Sequence, residues 1–294
     1  MIAVIDIGGT RTKYGVCTRD GAFCPGFPAW IATPSRNLVD TLVYQLMDRL
    51  PWNEVGELFV SIAANVDEEG HVLHATNLDI PAGTPFSSRL AAAFHVPVRC
   101  ENDGTCAALA VAAMNDWQAI TPLVVLTLGT GVGGGIILEG GPYRGIAGSA
   151  AEFGHLVIDP RGPRCGCGKR GCVEAFAGEA GILNRYNREA EHPVAASLEL
   201  VSRISAGDEL ALAVVTDTGH FLGKAMSIIS DIIAPRAFVL TGGVAGLGHA
   251  LTDPIARVLQ TTCFLRHTAD VPVVQAIHDD PFLVLRGALE LRRL

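Results

Sequence analysis

A histidine and three cysteines near the middle of the chain have the types and the spacing of a metal site. They are His155, Cys165, Cys167 and Cys172. One nitrogen and three thiolates can bind a tetrahedral Zn²⁺, and four protein ligands leave no open position for water. The pattern therefore predicts a structural zinc, whose role would be to hold the two carboxylates that bracket the ligands, Glu152 and Glu174.

Two other interpretations of these cysteines stay open. They could include a disulfide, or they could be ordinary turn residues among glycines. The apolar run at residues 1–6 is too short for a signal peptide, which favours a reducing cytoplasm where disulfides are rare. The backbone freedom of Gly166, Gly168 and Gly171 would let the chain fold tightly around a metal, and this favours zinc.

The composition limits the class of protein. With 294 residues, 49% of them apolar, the chain is long enough for two domains and a large core. No apolar run reaches the length of a membrane span, about 18 residues. The net charge of -8 argues against nucleic-acid binding, which calls for clustered lysine and arginine. We therefore expect a cytoplasmic protein with neither a membrane nor a nucleic-acid partner.

A glycine-rich turn follows the first strand-like run. Residues 2–7 are apolar except for Asp6, and the turn and its neighbours supply Gly8, Gly9, Thr10 and Lys13. In a hairpin of this kind, phosphate oxygens can approach the backbone N–H groups, and the acidic residue at the strand end could hold Mg²⁺ through water. An ordinary hairpin turn is the alternative, because short glycine motifs are weak evidence.

The same pattern recurs later in the chain. An apolar run at 123–128 leads into Gly129-Thr130-Gly131-Val132-Gly133, and a second run follows at 136–138. Two such hairpins suggest a duplicated architecture in which each half contributes a phosphate loop to a common cleft. A third glycine pair, Gly242-Gly243, could seat an adenine or its ribose, or it could be a plain strand-to-helix turn.

Asp103 lies where a strand is predicted to end and a helix to begin. Helix capping is one interpretation of this position. Catalysis is the other, because a carboxylate at a helix N-terminus is kept ionised by the helix dipole and can still accept a proton from a substrate hydroxyl. The two roles are compatible.

Hydrophobic periodicity predicts the elements that carry these residues. It indicates helices over residues 38–50, 86–94, 105–114, 209–233 and 281–294. Strand-like runs cover residues 58–64, 98–100, 123–128, 237–240 and 271–275. The mixture is typical of an α/β protein.

The order of these motifs resembles the ROK family of bacterial sugar kinases and related repressors, within the actin-like ATPase superfamily. The resemblance rests on Asp6-Ile-Gly8-Gly9-Thr10, Asn102-Asp103, Gly129-Thr130-Gly131, Glu152-x-Gly154-His155, Cys165-x-Cys167-Gly-x-x-Gly-Cys172-x-Glu174 and Gly242-Gly243. It implies a duplicated actin-like ATPase, or ribonuclease H-like, fold whose two lobes close a cleft on a sugar. The small lobe would hold residues 1–103 and 281–294, and the large lobe residues 104–280 with the zinc site.

The resemblance also implies a role for each site residue. ATP and Mg²⁺ would contact Asp6, Gly8, Gly9, Thr10, Thr12, Lys13, Gly129, Thr130, Gly131, Gly133, Gly242 and Gly243. The sugar would contact Asn77, Asn102, Asp103, Glu152, His155 and Glu174. Asp103 would be the general base, and His155 would use one ring nitrogen for the structural Zn²⁺ and the other for the sugar.

Three hypotheses about function follow from the resemblance. The first is an ATP-dependent kinase acting on the 6-hydroxyl of a hexose, with glucose as the leading candidate. The second is a kinase for an N-acetylhexosamine, either N-acetylmannosamine or N-acetylglucosamine. The third is a non-catalytic sugar sensor, which the presence of Thr10, Lys13 and Asp103 disfavours. A homodimer or homotetramer is implied as well.

Three stretches depart from the family pattern. Ala64-Asn65 stands where the family usually has a Pro-Gly pair, the loop at 77–85 is unusual, and Gly178 replaces a small hydroxyl residue. None of them removes a catalytic group. Because the loop at 77–85 is expected near the substrate, it bears on which sugar the chain binds.

Overall fold

The computed structural model describes residues 1–114, 117–265, 270, 271, 273–275 and 280–294. The strands are β1 (Ile2–Ile7), β2 (Arg11–Cys17), β3 (Ala29–Ala32), β4 (Glu57–Ile62), β5 (Asn65–Val66), β6 (Val72–His74), β7 (Val98–Asn102), β8 (Leu123–Leu128), β9 (Val132–Leu138), β10 (Gly141–Pro142), β11 (Ala237–Thr241) and β12 (Val273–Gln275). The α-helices are α1 (Leu38–Met47), α2 (Phe86–Phe94), α3 (Asp103–Ala112), α4 (Val173–Ala177), α5 (Glu179–Asn187), α6 (Glu199–Ser205), α7 (Glu209–Ile233), α8 (His249–Thr262) and α9 (Leu283–Glu290). Short 3₁₀ helices cover Ile146–Gly148, Phe153–His155, Gly243–Leu247 and Leu291–Arg293.

The chain divides into two compact units. Unit 1 consists of Met1–Asn115, Gly141–Ala150 and Pro281–Leu294, and unit 2 consists of Asp116–Gly140 and Ala151–Asp280. Among the described residues, no helix is both long and apolar enough to cross a membrane.

Unit 1 is built on a sheet with the strand order β3-β2-β1-β4-β7. β1 is antiparallel to β2 and parallel to β4, and β4 is parallel to β7. Every residue of β1 is buried, because strands pair with both of its edges and helices cover both of its faces. One face packs with α1 and α2 in an apolar core, and α9 covers the other.

Unit 2 repeats this plan. Its sheet has the order β9-β8-β11-β12, with β8 antiparallel to β9 and parallel to β11, which is itself parallel to β12. Helix α7 packs closely against α8. Glycine at position 223 permits this approach, since a Cβ there would lie 2.7 Å from the Cβ of Val258. The repeated hairpin followed by parallel strands confirms the predicted duplication.

The predicted elements are largely confirmed. Helices α2 and α7 and strand β8 have the predicted bounds. Helix α1 ends three residues earlier than predicted, where the indole of Trp52 donates to the Leu46 carbonyl at 3.0 Å. The predicted strand over 271–275 is described at Val273–Gln275, and residue 272 lies outside the described residues.

Helix α3 differs from its prediction in two respects. It begins at Asp103 itself, and it belongs to unit 1, whereas the sequence-based division placed residues after 103 in the larger lobe. The physical reason is its packing against α9, which comes so close that a Cβ at Gly287 would lie 1.7 Å from the Cys106 carbonyl oxygen. Residues Gly141–Ala150 also belong to unit 1, whereas the sequence-based division placed them in the larger lobe.

Candidate functional site

A partly buried ion pair lies beside the first glycine turn. The register of β1 and β2 places Asp6 opposite Lys13, and the Lys13 Nζ donates to Asp6 Oδ2 at 3.0 Å. Ser61 Oγ donates to Asp6 Oδ1 at 3.1 Å, and Asp6 is only 4% exposed. Both carboxylate oxygens are therefore hydrogen-bonded, which fixes the side chain at the end of β1.

Thr33, which follows β3 directly, supports the turn. Its hydroxyl donates to the Gly8 carbonyl at 2.7 Å, and its backbone N–H donates to the Thr10 carbonyl at 3.0 Å. The hydroxyl of Thr12 lies 2.9 Å from the Thr33 hydroxyl, and Thr12 is fully buried. This burial favours a supporting role for Thr12 over direct contact with a nucleotide, while Thr10 is exposed at the tip.

Asn77 lies beside the same turn. A Cβ at Gly9 would come within 3.3 Å of the Asn77 Cβ, so the glycine allows this side chain to approach. Asn77 is exposed. It is therefore placed against the predicted phosphate loop, and its contact with a sugar stays a prediction.

Asn102 supplies the cap of helix α3. Its Oδ1 accepts from the backbone N–H groups of Gly104 at 2.9 Å and Thr105 at 3.2 Å, and its Nδ2 donates to the Ala64 carbonyl at 3.2 Å. Capping, the structural alternative for Asp103, thus falls mainly to its neighbour. The Asp103 Oδ1 accepts from the Gly104 N–H at 2.9 Å, which orients the carboxylate at the first turn of the helix.

A row of polar side chains crosses the unit 1 sheet beside these residues. Paired positions place Lys13, Asp6, Ser61 and Glu101 next to one another on β2, β1, β4 and β7, and we call this set the polar row. Partners in register point to the same face of a sheet. Burial raises the pKa of the Cys106 thiol well above its usual range, with Glu101, Asp6 and Asp103 adding to the effect.

Glu101 is the residue that sequence reasoning missed. It is 4% exposed, and its Oε2 accepts from the Arg144 Nε at 2.7 Å. The pair joins positions 43 apart in the chain, so no local pattern could have paired them. The available signal was its position directly before Asn102 and Asp103 in the chain. A charged residue is rarely buried without a partner, so burial at this position would have pointed to an ion pair.

The second glycine turn closes the β8–β9 hairpin of unit 2. The Gly129 N–H donates to the Gly131 carbonyl at 3.0 Å, and Thr130 is exposed at the tip. Gly133 pairs with Thr127, where a Cβ would lie 2.8 Å from the Thr127 Oγ1. As in the first turn, backbone groups and a threonine form the exposed end of a hairpin.

Glu174 reaches this second turn from α4. Its Oε2 accepts from the Val132 N–H at 3.2 Å, and a Cβ at Gly131 would lie 2.3 Å from that oxygen. Its Oε1 lies 3.7 Å from the Cys165 Sγ. The carboxylate therefore touches both the turn and the thiol cluster, a link that the sequence did not predict.

The histidine and the three cysteines come together as predicted. Their ligand atoms all lie within 4.8 Å of one another, with 3.7 Å between Cys165 Sγ and His155 Nδ1 and 3.7 Å between the Sγ atoms of Cys167 and Cys172. A tetrahedron with metal–sulfur bonds of about 2.3 Å has edges of about 3.8 Å. The spacing fits a zinc ion, and it is too long for a disulfide bond of about 2.05 Å.

The loop around the cluster depends on glycine. Gly168 and Gly171 have φ values of +88° and +70°, and a Cβ at Gly171 would lie 1.6 Å from the Asp159 carbonyl oxygen. Burial, with hydrogen bonds to the other two thiols, raises the pKa of Cys172 to about 12. A metal must therefore displace a proton from this thiol, which makes binding sensitive to pH.

Glu152 and His155 flank a short helical turn. His155 closes the turn with an N–H that donates to the Glu152 carbonyl at 3.1 Å. Gly154 packs so tightly on β9 that a Cβ would lie 2.0 Å from the Val132 carbonyl oxygen. Glu152 is exposed and His155 is partly exposed, so both side chains can be reached from solvent.

The third glycine pair has two different roles. Gly242 has a φ of +91°, and its Cβ would lie 2.4 Å from the Leu128 carbonyl oxygen, so the strand-to-helix turn itself requires glycine. A Cβ at Gly243 would meet no atom within 4 Å. Gly243 therefore faces open space, as a seat for an adenine or ribose would require.

Known proteins resemble this chain over most of its length. The ROK family model matches residues 2–293. A glucokinase of Halalkalibacterium halodurans is 32% identical over 204 residues, which cover 65% of this chain and 62% of that protein. An N-acetyl-D-glucosamine kinase of Shigella flexneri is 30% identical over 298 residues, with 96% of each chain covered.

Solved structures match over the whole chain. The crystal structure of a ROK family glucokinase from Streptomyces griseus, in complex with glucose and AMPPNP, superimposes with a TM-score of 0.84 at 27% identity. The match covers 100% of this chain and 99% of that one. It confirms the actin-like ATPase fold that the sequence motifs implied.

Proposed function

The chain belongs to the ROK family, and we propose that it transfers the γ-phosphoryl group of ATP to the 6-hydroxyl of a hexose, with glucose as the preferred substrate. The observation that carries the proposal is that Asn102 and Asp103, at the start of α3, have different roles. Asn102 provides the helix cap, so Asp103 is not needed for that purpose. A carboxylate at this position suits a general base for a sugar hydroxyl.

The nucleotide side of the reaction falls to the two hairpin turns. Asp6 would hold Mg²⁺ through water, and Lys13 would neutralise phosphate charge. The exposed Thr10 and Thr130 offer hydroxyls at the two tips. Phosphoryl transfer has a loose transition state, so catalysis consists mainly of positioning and of neutralising charge. Gly243 supports adenosine binding, because its open side can accept a flat ring.

The sugar side falls to carboxylates, amides and an imidazole. Glu152, Glu174, Asn102 and Asn77 bind ring hydroxyls, and each such bond discriminates against sugars that leave its partner unpaired. His155 faces Cys165 through Nδ1, which supports Nδ1 as the zinc ligand and Nε2 as the group for the sugar. A Zn²⁺ bound by these four ligands supplies structural order there and no open position for chemistry.

Two features of the whole protein belong to the proposal. A reducing, cytoplasmic location is part of the proposal, because disulfides are rare there and the thiols of Cys165, Cys167 and Cys172 would stay available for a metal. A homodimer or homotetramer is proposed from the resemblance to the family. Size-exclusion chromatography with light scattering checks the assembly.

An N-acetylhexosamine is the second candidate substrate. The observation in its favour is the N-acetyl-D-glucosamine kinase relative, which matches over nearly the full length of both chains. The non-catalytic sensor is disfavoured, since Lys13 and Asp103 are both present and ordered in the structure.

An ADP-release assay tests the proposal directly. The purified protein is given MgATP with glucose, mannose, fructose, allose, N-acetylglucosamine or N-acetylmannosamine, and kcat/KM is compared across the panel. We expect the highest value for glucose. The Asp103→Asn variant is the control for contaminating kinases and should be inactive. Turnover on no sugar, combined with tight sugar binding by calorimetry, would instead identify a sensor.

A further inference from the structure

Glu101 makes one contact with Arg144 and one with Asn102, the residue before the candidate base. Its Oε2 accepts from the Arg144 Nε at 2.7 Å, and its Oε1 accepts from the backbone N–H of Asn102 at 2.9 Å. Asn102 in turn caps α3, whose first residue is Asp103. One buried carboxylate therefore connects Arg144 to the residue next to Asp103.

Arg144 is held in place by its own segment. Residues Gly141–Ala150 belong to unit 1, although the chain on either side of them belongs to unit 2. The Ala150 N–H donates to the Arg144 carbonyl at 3.0 Å, and Gly148 packs so closely on β5 that a Cβ would lie 2.2 Å from the Val66 carbonyl oxygen. These contacts fix the backbone of Arg144, and its guanidinium binds Glu101 from this fixed position.

Most charged side chains in and around the polar row form pairs of opposite charge. Lys13 neutralises Asp6 at one end of the polar row, and Arg144 neutralises Glu101 at the other. On α9, which covers this face, Glu290 pairs with Arg293, and Arg286 lies over the Phe23 ring. Loss of Arg144 would leave Glu101 as an unpaired buried negative charge, two residues before Asp103 in the chain.

We propose that Glu101 and Arg144 are positioning residues for Asp103, which they hold in register with the sugar hydroxyl and whose ionised form they protect. The proposal rests on the proposed kinase function. Neither residue touches the substrate in this scheme. They act through the Asn102 backbone and through the charge that reaches the Asp103 carboxylate.

The test compares Arg144→Met, Arg144→Lys and the double variant Glu101→Gln/Arg144→Met. For Arg144→Met we expect kcat to fall about 10- to 100-fold, the range that a small misplacement of a catalytic group produces, with the sugar KM changed about 3-fold at most. In a plot of kcat against pH, the fall in kcat on the acidic side (the acid limb) should move to higher pH. The reason is that an added negative charge favours the protonated form of the Asp103 carboxyl group.

The other variants separate charge from position. In the double variant the acid limb should return toward that of the wild type, because the unpaired Glu101 charge is gone, while kcat stays low. Arg144→Lys keeps the charge and loses the guanidinium geometry, so its acid limb should stay in place while kcat falls partway. The matched control is Arg89→Met, which removes an exposed arginine paired with Asp40 on the same unit and should change neither quantity.

A measurement without substrate makes the two proposals separable. Hydrogen exchange at the Gly104 and Thr105 amides should be faster in Arg144→Met than in Arg89→Met. Their acceptor is Asn102, whose backbone is held by Glu101, and Glu101 loses its partner in Arg144→Met. If the wild type phosphorylates no sugar, the proposed function fails while the exchange experiment still decides whether the pair holds the turn. Wild-type exchange, kcat and acid limb in folded Arg144→Met would overturn the positioning role.

Discussion

The Glu174 carboxylate accepts a hydrogen bond from the Val132 backbone N–H, with Oε2 and N 3.2 Å apart. Its other oxygen lies 3.7 Å from the Cys165 Sγ. The residue expected to bind a sugar hydroxyl is therefore also a direct connection between the candidate metal cluster and the second glycine turn. Changes at the cluster should reach the turn that we propose for nucleotide phosphates through this side chain.

Substitution of Gly131 tests this connection without altering Glu174. In Gly131→Ala the new methyl group would lie 2.3 Å from the Glu174 Oε2, and the end of a flexible side chain yields more easily than backbone. We expect the carboxylate to move, so that the KM values for both ATP and sugar rise several-fold while the melting temperature changes little. Gly56→Ala is the control, since its Cβ would meet only the Met1 carbonyl oxygen at 3.9 Å. Unchanged KM values would mean that Glu174 does not couple the two sites.

Removal of the metal should affect the same turn. Elemental analysis should find one zinc ion per chain in the wild type and none in the Cys167→Ser variant. The variant should also bind sugar more weakly, because His155 and Glu174 lose their common anchor. Hydrogen exchange at Val132 should become faster. Cys24→Ser, in unit 1, should keep the metal. Wild-type sugar affinity in zinc-free protein would exclude a structural role for the ion.

The pH dependence of zinc retention follows from the buried thiols. Because burial and the neighbouring thiols raise the pKa of Cys172 to about 12 in the metal-free cluster, binding must release a proton from it. Protons therefore compete with the metal, and affinity should fall as pH falls. Competition with a chromogenic chelator between pH 8 and pH 6 checks the direction. An affinity that is constant over this interval would contradict the proposed thiolate ligands.

The start of α3 separates stability from catalysis in two neighbouring residues. Asn102→Ala removes a helix cap, a loss of about 1 kcal/mol, and should lower the melting temperature. Asp103→Asn keeps that cap, so it should melt like the wild type while turnover disappears and sugar affinity stays within a few-fold. Thermal melts and calorimetric sugar titrations distinguish the two variants. Full turnover by Asp103→Asn would refute its assignment as the base.

Local patterns were sufficient to predict much of the fold. The glycine turns after Asp6 and Leu128 could be predicted because glycine stands out between apolar runs. Helix α7 could be predicted because its apolar spacing continues over seven turns. The metal ligands were predictable because three of the four lie within eight residues. In each case the information is contained in a short stretch of sequence.

Contacts between distant segments explain what was missed. The Glu101–Arg144 pair joins positions separated by 43 residues, and the placement of α3 in unit 1 depends on a helix near the C-terminus. The burial of Thr12 was missed because the motif resemblance assigns roles to residue types, whereas the direction of each side chain depends on the pleat of β2. Such features require the register of the sheets.

The Lys13–Asp6 pair makes a final prediction about stability and nucleotide binding together. In Lys13→Met, Asp6 would keep its hydrogen bond from Ser61 but lose its cation while only 4% exposed. We expect the free energy of unfolding to fall by about 2 kcal/mol. This is below the full cost of breaking a buried pair, because Lys13 is itself partly exposed. Urea unfolding measures this loss, and the double variant Asp6→Asn/Lys13→Met should recover part of it because no charge is left buried. The KM for MgATP should rise in both variants, since each lacks the lysine that faces the phosphates in the proposed complex. A wild-type KM in Lys13→Met would place the nucleotide away from this turn.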